Sequence, residues 1–506
     1  MDNSHAFLEE FNLNQLADIY NDAEAAKRRI SHLIDNFKNV FNSEPNYISR
    51  APGRIAIIGA HVDWSGFPVI STALENDILV IVETVKRKEN DTSKNVQILL
   101  HDEFSSKYKP AELNLTNFDP LDLLTQHCWV NYFIAGLNSL LRFVKVNKID
   151  LEKQNVYSQL RILICCNFPT GSGISSSAAF TLSVGILFFK LYGCDKMVEK
   201  IKLALLVNNE EKKIGVNIGE QDHRISMCSD KEFLKYLEFE PKFSITNIDI
   251  PKNITYIVAH SLIEASKFDN ACYRANKRKV EVKLALALLS KKLGEENSFE
   301  MLRHLKDKYN FSIEELRKFI NETIKQDEYE KELLYKIFDE FQDKNYTVEH
   351  LLSNVRLSGE VMDKNVTFRL KQRLLHVCNE YERVLEFKQK LITQDYTPKE
   401  LGELVNRSHE SSKNNFDSSC NELNGLVDFA RNNGAIGARL SGAGWGGCMI
   451  ILIENHLREE FLKKLQCYYE TVRKEDYFKL DEEDRKLVYF PTKSGKGACL
   501  LSLSYK

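Results

Sequence analysis

The turn Pro169–Ala178, which reads Pro-Thr-Gly-Ser-Gly-Ile-Ser-Ser-Ser-Ala, has the composition of an anion-binding loop. It follows an apolar segment, 160–168, that is typical of a buried strand, and it leads into small and apolar residues that predict a helix. Glycine lets a phosphate approach the backbone closely, and a helix N-terminus offers it unpaired N–H groups. Taken alone, a tight turn with serine caps explains the segment equally well.

The turn does not match the two commonest nucleotide-binding motifs. No Gly-Lys-Ser/Thr sequence follows it, as a Walker A loop would require, and the third glycine of a dinucleotide-binding fingerprint is missing. Any phosphate site at this turn is therefore of another class.

Two further clusters could contribute to the same chemistry. The segment 51–66 contains Arg54, His61 and Asp63 around a short predicted strand. An arginine can hold a phosphate with two hydrogen bonds, and an aspartate and a histidine suit the recognition of hydroxyl groups. The segment 437–448 contains five glycines, a density typical of close backbone approach to a ligand. For each cluster taken singly, an ion pair or a bent turn is the more ordinary explanation.

Hydrophobic periodicity predicts an α+β architecture around these clusters. A helical extension over 1–44 precedes a β-rich first domain over 45–265, and a second domain over 266–506 begins with mainly helical sequence. The composition changes near residues 260–270, where segments rich in Lys, Glu and Leu begin. We place the domain boundary at this change.

The bulk composition excludes several classes of protein. The 506 residues have a formal net charge of −3, which would not draw the whole chain to nucleic acid or to an anionic membrane. The first residues lack the pattern of a secretory signal, no membrane span is predicted, and the 11 cysteines include no C-x-x-C pair. We expect a cytoplasmic monomer with reduced thiols and with no nucleic-acid or membrane partner.

The three clusters, in this order and spacing, resemble the GHMP kinase superfamily, and within it the galactokinase and N-acetylgalactosamine kinase branch. Segment 51–66 is similar to that branch's signature, Ala-Pro-Gly-Arg-Val-Asn-x-Ile-Gly-Glu-His-x-Asp-Tyr, and Pro169–Ala178 resembles the superfamily's ATP loop. Ser441–Cys448 resembles its C-terminal glycine motif. The similarity covers most of residues 45 to 505, and the N-acetylgalactosamine kinase type looks nearest.

The resemblance implies a two-domain fold with the active site between the domains. The N-terminal domain would be ribosomal S5-like with mixed sheets, and the C-terminal domain would be α/β. The implied activity is that of a kinase that uses ATP and Mg²⁺ to phosphorylate the anomeric hydroxyl of galactose or N-acetylgalactosamine, giving the sugar 1-phosphate.

The resemblance also implies roles for individual residues. Asp222 matches the family's catalytic aspartate, and Arg54 matches its catalytic arginine. Ser177 and Glu211 match its Mg²⁺ ligands, with the neighbouring residues 176 and 210 as alternatives. The positions that match ATP-binding residues are Gly171, Ser172, Gly173, Ser175, Ser176 and Trp129. The positions that match sugar-binding residues are His61, Asp63, Ala60, Gly219 and Arg224.

Several sugar-facing positions depart from the family's pattern. Ala60 stands where the signature has Glu, Ala56 where it has Asn, and Ala275 where an aromatic residue is common. In relatives the Glu accepts a hydrogen bond from the O6 hydroxyl of the sugar, so its loss would relieve repulsion against a carboxylate at C6. Galacturonate is therefore an alternative substrate, with Arg224 or Arg274 as the counter-charge.

The segment around the catalytic aspartate also departs from the pattern, because the usual Met-Asp-Gln reads Gln221-Asp222-His223. A non-catalytic sugar sensor is an alternative of a different class. The retained serine run of the ATP loop, with Asp222 and Arg54, favours an enzyme. The galactokinase-type opening segment argues against a GHMP kinase acting on another alcohol, such as mevalonate.

Overall fold

Two β-sheets, one of nine strands and one of four, organise the chain. The computed structural model describes residues 6–91, 93–103, 108–126, 128–151, 156–169, 171–215, 219–264, 270–355 and 358–503. The strands are β1 (Glu10–Asn12), β2 (Tyr47–Ile58), β3 (Val69–Lys86), β4 (Val96–Asp102), β5 (Ala111–Leu115), β6 (Tyr157–Cys166), β7 (Phe233–Glu238), β8 (Ser244–Asp249), β9 (Ile254–His260), β10 (Gly437–Leu440), β11 (Cys448–Glu454), β12 (Tyr489–Thr492) and β13 (Cys499–Ser502).

Helices pack around both sheets. They are α1 (Ala23–Phe41), α2 (Trp129–Val146), α3 (Ser176–Leu191), α4 (Lys200–Glu211), α5 (Gln221–Cys228), α6 (Asn270–Lys292), α7 (Leu302–Lys308), α8 (Ile313–Thr323), α9 (Lys331–Asp339), α10 (Val348–Leu352), α11 (Ser358–Asp363), α12 (Leu370–Thr393), α13 (Pro398–Ser411), α14 (Asn421–Asn432), α15 (Arg458–Thr471), α16 (Lys474–Tyr477) and α17 (Glu482–Lys486). In the parts of the chain that the structure describes, no helix is long and apolar enough to cross a membrane.

The nine-stranded sheet runs in the order β1-β13-β2-β3-β6-β4-β5, and the hairpin of β7 and β8 pairs with the start of β3. Two pairs, β1 with β13 and β4 with β6, are parallel. Strand β2 is buried along almost its whole length, because α1 covers one face of the sheet while α3 and α5 cover the other. The strand that ends at the segment 59–63 is therefore firmly held.

Helix α3 is apolar on nearly every side, because it lies between the sheet and a second layer formed by α2 and α4. Glycines allow these helices to approach closely. A Cβ atom added at Gly136 of α2 would lie 2.6 Å from the carbonyl oxygen of Thr181, and one at Gly185 of α3 would lie 2.7 Å from Val207. This packing fixes the direction of α3 and so the position of its N-terminus.

The four-stranded sheet is antiparallel and runs in the order β10-β11-β9-β12. Helices α14 and α15 cover one of its faces. Strand β9 precedes the predicted domain boundary yet belongs to this sheet, and β13, near the end of the chain, belongs to the nine-stranded sheet. The boundary itself, between residues 265 and 266, lies outside the described residues. We refer below to the two sheets with their helices as the first and second lobes.

Candidate active site

The serine-rich turn lies at the N-terminus of α3, where the sequence predicts it. It reaches the helix through left-handed backbone, with φ of 66° at Gly171, 73° at Gly173 and 64° at Ser175. Glycine adopts this conformation easily, whereas Ser175 has a side chain and is strained there. Since the first N–H groups of a helix have no partner within it, the turn faces a natural anion site. Thr170 of this turn lies outside the described residues.

The C-terminal glycine cluster packs directly against this turn. The N–H of Cys448 donates to the carbonyl oxygen of Ser172 over 2.6 Å. A Cβ atom on Gly442 would lie 2.2 Å from the carbonyl oxygen of Gly173, and one on Gly447 would lie 2.6 Å from that of Ser172. The glycines are thus required for contact between the two lobes, and the two motifs form one structural unit.

Asp222, in the first turn of α5, is held by residues from two other motifs. Arg54 of β2 donates from Nε to Asp222 Oδ1 over 2.8 Å, and its Nη2 lies 2.7 Å from the same oxygen. Ser175 donates from Oγ to Asp222 Oδ2 over 2.7 Å. Arg54 also donates from Nη1 to the carbonyl oxygen of Gly173 over 3.0 Å. The predicted catalytic pair and the ATP loop are therefore in direct contact.

The segment 59–63 contains two polar side chains, the half-buried His61 and the buried Asp63. Asp63 is 7% exposed and lies against Gly219, where an added Cβ atom would be 1.7 Å from Asp63 Oδ2. Within the described ranges, neither Asp63 Oδ2 nor His61 Nε2 has a hydrogen-bond partner. Buried polar atoms are usually paired, so these two atoms are candidates for contact with a ligand.

The pKa values of these two side chains also differ from their ordinary values. Burial and the negative charge of Asp222 raise the pKa of Asp63 to about 6, while Lys279 of α6 acts in the opposite direction. Burial lowers the pKa of His61 well below its ordinary value, and His376 adds to this effect. His61 is therefore a neutral ring at physiological pH, and it stacks on Phe416 with ring centroids 4.4 Å apart.

Glu211, at the end of α4, lies beside the first turns of α3. Its Oε2 accepts a hydrogen bond from Thr181 Oγ1 over 2.8 Å and lies 2.9 Å from His223 Nε2. Asn208 donates to His223 Nδ1 over 3.0 Å, so Nε2 carries the ring proton and donates it to Glu211. Thr181 is one helical turn beyond Ser177, so Glu211 and Ser177 belong to the same end of α3.

The oxygen atoms at this end of α3 fit Mg²⁺, which prefers a few hard oxygen ligands. Glu211 supplies a carboxylate that is 4% exposed, and Ser177 supplies a hydroxyl. The neighbouring Glu210 instead pairs with Arg142 over 3.0 Å and with Lys213 over 2.5 Å. Glu210 is thus bound by two cations, whereas Glu211 lies beside the first turns of α3 with Ser177.

Three predicted binding residues have other contacts. Arg224 stacks over the ring of Phe243, with 3.7 Å from its guanidinium carbon to the centroid, and forms an ion pair with Glu220. Trp129 begins α2 and lies 6.4 Å from the Phe180 ring. Ala60 is bonded through its backbone to Glu380 and His376 of α12.

Sequence reasoning did not single out Thr181, Phe416, His376 or Glu380 as functional. Phe416 ends a π-helical turn, Ser412–Phe416, which follows α13 directly. Such turns often occur at functional positions, but local sequence does not announce them. His376 and Glu380 are four residues apart on one helix face, but α12 contains many charged residues, so this spacing gave no distinct signal.

Comparison with known proteins gives three family matches along the chain. The galactokinase galactose-binding signature matches residues 35–84, the GHMP kinases N terminal domain matches 136–229, and the GHMP kinases C terminal domain matches 394–471. The galactokinase of Dictyostelium discoideum is 30% identical, over 97% of this chain and 97% of its own length. The galactokinase of Saccharomyces cerevisiae is 27% identical, over 93% of this chain and 94% of its own.

Solved structures show the same fold. The galactokinase of Lactococcus lactis in complex with galactose superposes with a TM-score of 0.63 at 21% identity, over 93% of this chain and 99% of that protein. The mevalonate kinase of Methanococcus jannaschii gives a TM-score of 0.51 at 14% identity, over 89% and 99%. The predicted two-domain GHMP kinase fold is confirmed, whereas the assignment to the N-acetylgalactosamine kinase type stays a prediction. The chain belongs to the galactokinase family of GHMP kinases and is an ATP-dependent sugar kinase.

Proposed function

We propose that the protein transfers the γ-phosphoryl group of ATP to the anomeric hydroxyl of galactose or N-acetylgalactosamine. The observation on which this rests is Asp222, which Arg54 and Ser175 bind at the junction of the ATP loop and the segment 59–63. The related galactokinases, one of them solved with galactose, support galactose as the first substrate to test. Cytoplasmic localisation and a monomeric state stay predictions.

In the proposed reaction, a bond forms between the sugar O1 and the γ-phosphorus, and the bond from that phosphorus to the β–γ bridging oxygen breaks. Asp222 accepts the hydrogen bond of the O1 hydroxyl, orients it for attack and receives its proton as ADP leaves. Arg54, which contacts both Asp222 and the carbonyl oxygen of Gly173, stabilises negative charge on the transferring group.

Ser177 and Glu211 are the proposed holders of Mg²⁺, which when bound neutralises charge on the phosphates. His223 and Thr181 both donate to Glu211 and so fix the orientation of its carboxylate. The remaining residues of the ATP loop bind phosphate through backbone N–H groups at the start of α3.

Asp63, His61 and Gly219 form the proposed sugar site. Asp63 Oδ2 and His61 Nε2 are buried and, within the described residues, lack hydrogen-bond partners that sugar hydroxyls could supply. The absence of a side chain at Gly219 leaves the Asp63 carboxylate in its position. Arg224 is a weaker candidate, because its guanidinium already stacks on Phe243 and pairs with Glu220.

Galacturonate is the second candidate substrate, and one electrostatic observation favours it. The positive charge of Lys279 acts on both Asp63 and His61, while Ala60 contributes no carboxylate to the sugar site. A carboxylate at C6 of the sugar could therefore find a counter-charge in Lys279. Arg274, the earlier candidate for this role, is exposed on α6.

The test is ADP release with Mg²⁺ and a panel of galactose, N-acetylgalactosamine, galacturonate and glucose. Turnover with galactose or N-acetylgalactosamine, and its loss in Asp222→Asn, is the expected result. Turnover only with galacturonate would replace the proposed substrate by the second candidate. ATP binding without any sugar-stimulated turnover would favour the sugar sensor, and full activity of Asp222→Asn would remove the proposed role of Asp222.

A further inference from the structure

Two buried side chains of α12, His376 and Glu380, bond the backbone of the segment 59–63. The N–H groups of Gly59 and Ala60 both donate to Glu380 Oε1 over 2.9 Å. His376 Nε2 lies 2.9 Å from the carbonyl oxygen of Ala60, to which it donates. Both side chains are fully buried. We call this pair the α12 clamp.

The clamp is itself fixed by side chains of α12, α13 and β10. Ser408 of α13 donates to Glu380 Oε1 over 2.6 Å, and Arg383 donates from Nε to Oε2 over 2.8 Å. Ser411 Oγ lies 2.9 Å from His376 Nδ1, which leaves the ring proton on Nε2 for Ala60. Arg439 of β10 bonds the carbonyl oxygen of Ile57 over 3.3 Å, just before the clamped residues.

The backbone that the clamp holds is strained. Gly59 has φ of 104°, and His61, which has a side chain, has φ of 54°. Such a conformation persists when the surroundings over-determine it. The ring of Phe416 continues the contact, since it lies 4.8 Å from the His376 ring and stacks on His61. His61 is thus held on one side through the backbone of Ala60 and on the other through Phe416.

We infer that His376 and Glu380 are positioning residues that hold His61 and Asp63 in place for the sugar, so that α12 controls sugar affinity. This inference rests on the proposed function of the segment 59–63. Neither residue needs to touch the sugar, because both bind backbone atoms of the segment. Loss of the clamp should therefore weaken sugar binding far more than ATP binding or the chemical step.

Hydrogen exchange tests whether the clamp holds the segment, and it needs no ligand. In Glu380→Ala, the amides of a peptide covering residues 55–66 should exchange faster than in the wild type, because two of them lose their acceptor. Glu382→Gln is the matched control: it lies two residues away on the exposed side of α12, where its partner is Arg317. Unchanged exchange in Glu380→Ala would overturn the inference.

Kinetics test whether the clamp acts on the sugar. In Glu380→Ala, the KM for the sugar should rise by about tenfold, with kcat and the KM for ATP nearly unchanged. Glu380→Gln, which keeps one acceptor oxygen, should show a smaller rise, and Glu382→Gln should show none. A merely structural role would lower the amount of active enzyme and leave the KM for the sugar as it is, which would also overturn the inference.

Two further measurements keep the outcomes separate. If Glu380→Ala does not fold, His376→Phe must raise the sugar KM by a smaller factor, because it removes only one of the three bonds between the clamp and the segment 59–63. If the wild type has no turnover with any sugar, the proposed function fails. The exchange of residues 55–66 in Glu380→Gln and His376→Phe then still decides whether the clamp holds the segment.

Discussion

Two aspartates lie in the same cleft and interact electrostatically, yet their surroundings differ. Both oxygens of Asp222 are bound by protein donors, Arg54 and Ser175. Asp63 has one oxygen without a partner in the described parts of the chain, and burial together with the charge of Asp222 raises its pKa to about 6. The protein thus fixes the orientation of one carboxylate and leaves an acceptor open on the other.

The difference indicates a division of labour. A carboxylate that must orient a reacting hydroxyl gains from rigid partners, because the reaction depends on small displacements. A carboxylate that recognises a substrate gains from an open acceptor, because the substrate then supplies the missing hydrogen bond. Changes at Asp222 should therefore act on kcat, and changes at Asp63 should act on the KM for the sugar.

The largest effect is expected from Asp222→Asn, which keeps the size of the side chain and removes its charge. We expect kcat to fall by about 10³-fold, a typical loss when the acid–base residue of a reaction is removed. Sugar binding, followed through the fluorescence of Trp64 and of Trp445, whose ring lies 6.5 Å from that of His61, should persist. A loss of binding with little change in kcat would reverse the assignment of the two aspartates.

We expect a smaller effect from Asp63→Asn, and we expect it on the KM for the sugar rather than on kcat. Loss of a hydrogen bond to a charged group costs about 1.5–3 kcal/mol, so the KM for the sugar should rise by about ten- to a hundredfold. The KM for ATP should stay near that of the wild type, because the ATP loop does not depend on Asp63. Equal rises in the KM for the sugar and the KM for ATP would show that Asp63 supports the active site as a whole.

The pH dependence should follow the same carboxylate. Since the pKa of Asp63 is raised to about 6, the group is ionised above that pH and gains a proton below it. A protonated Asp63 accepts less well from sugar hydroxyls, so kcat/KM for the sugar should fall as the pH falls through about 6. Asp63→Asn should flatten this limb of the profile, and an unchanged limb would assign it to another group.

The same shift predicts an effect on stability. A carboxyl group whose pKa is higher in the folded state holds its proton more tightly there, so folding loses stability as the pH rises from the ordinary value near 3.8 through about 6. Without sugar, Asp63→Asn should therefore raise the melting temperature at pH 8 more than at pH 4 relative to the wild type. A lower melting temperature at both pH values would mean that Asp63 stabilises the empty cleft.

Sequence reasoning could identify the motifs but not how their side chains meet. The sequence predicts Asp222, Arg54 and the ATP loop from residue types and order, yet Arg54 and Asp222 are 168 positions apart and their contact depends on the tertiary fold. Ser175 is predicted to bind ATP, whereas the structure directs its hydroxyl to Asp222. Local residue propensities do not predict the left-handed backbone of Ser175.

The arrangement of the lobes was equally hard to anticipate. Strand periodicity predicts the apolar segments that become β9 and β13, but it does not state which sheet each strand joins. Phe416 reaches His61 through a π-helical turn that no sequence pattern marks. Long-range strand pairing and irregular backbone therefore limit what the sequence alone can predict about the proposed sugar site.

The smallest predicted effect is that of Lys279→Met, which tests how a nearby charge acts on Asp63. Lys279 favours the ionised form of Asp63, so Lys279→Met should raise the pKa of Asp63 and move the acid limb of kcat/KM to higher pH. The shift should be roughly half a pH unit, because the charge of Lys279 acts on the pKa of Asp63 less strongly than burial and the charge of Asp222 do. With galacturonate, the same variant should lose more activity than with galactose. Equal losses with both sugars would mean that Lys279 acts only through Asp63, and the uronate candidate would lose its counter-charge.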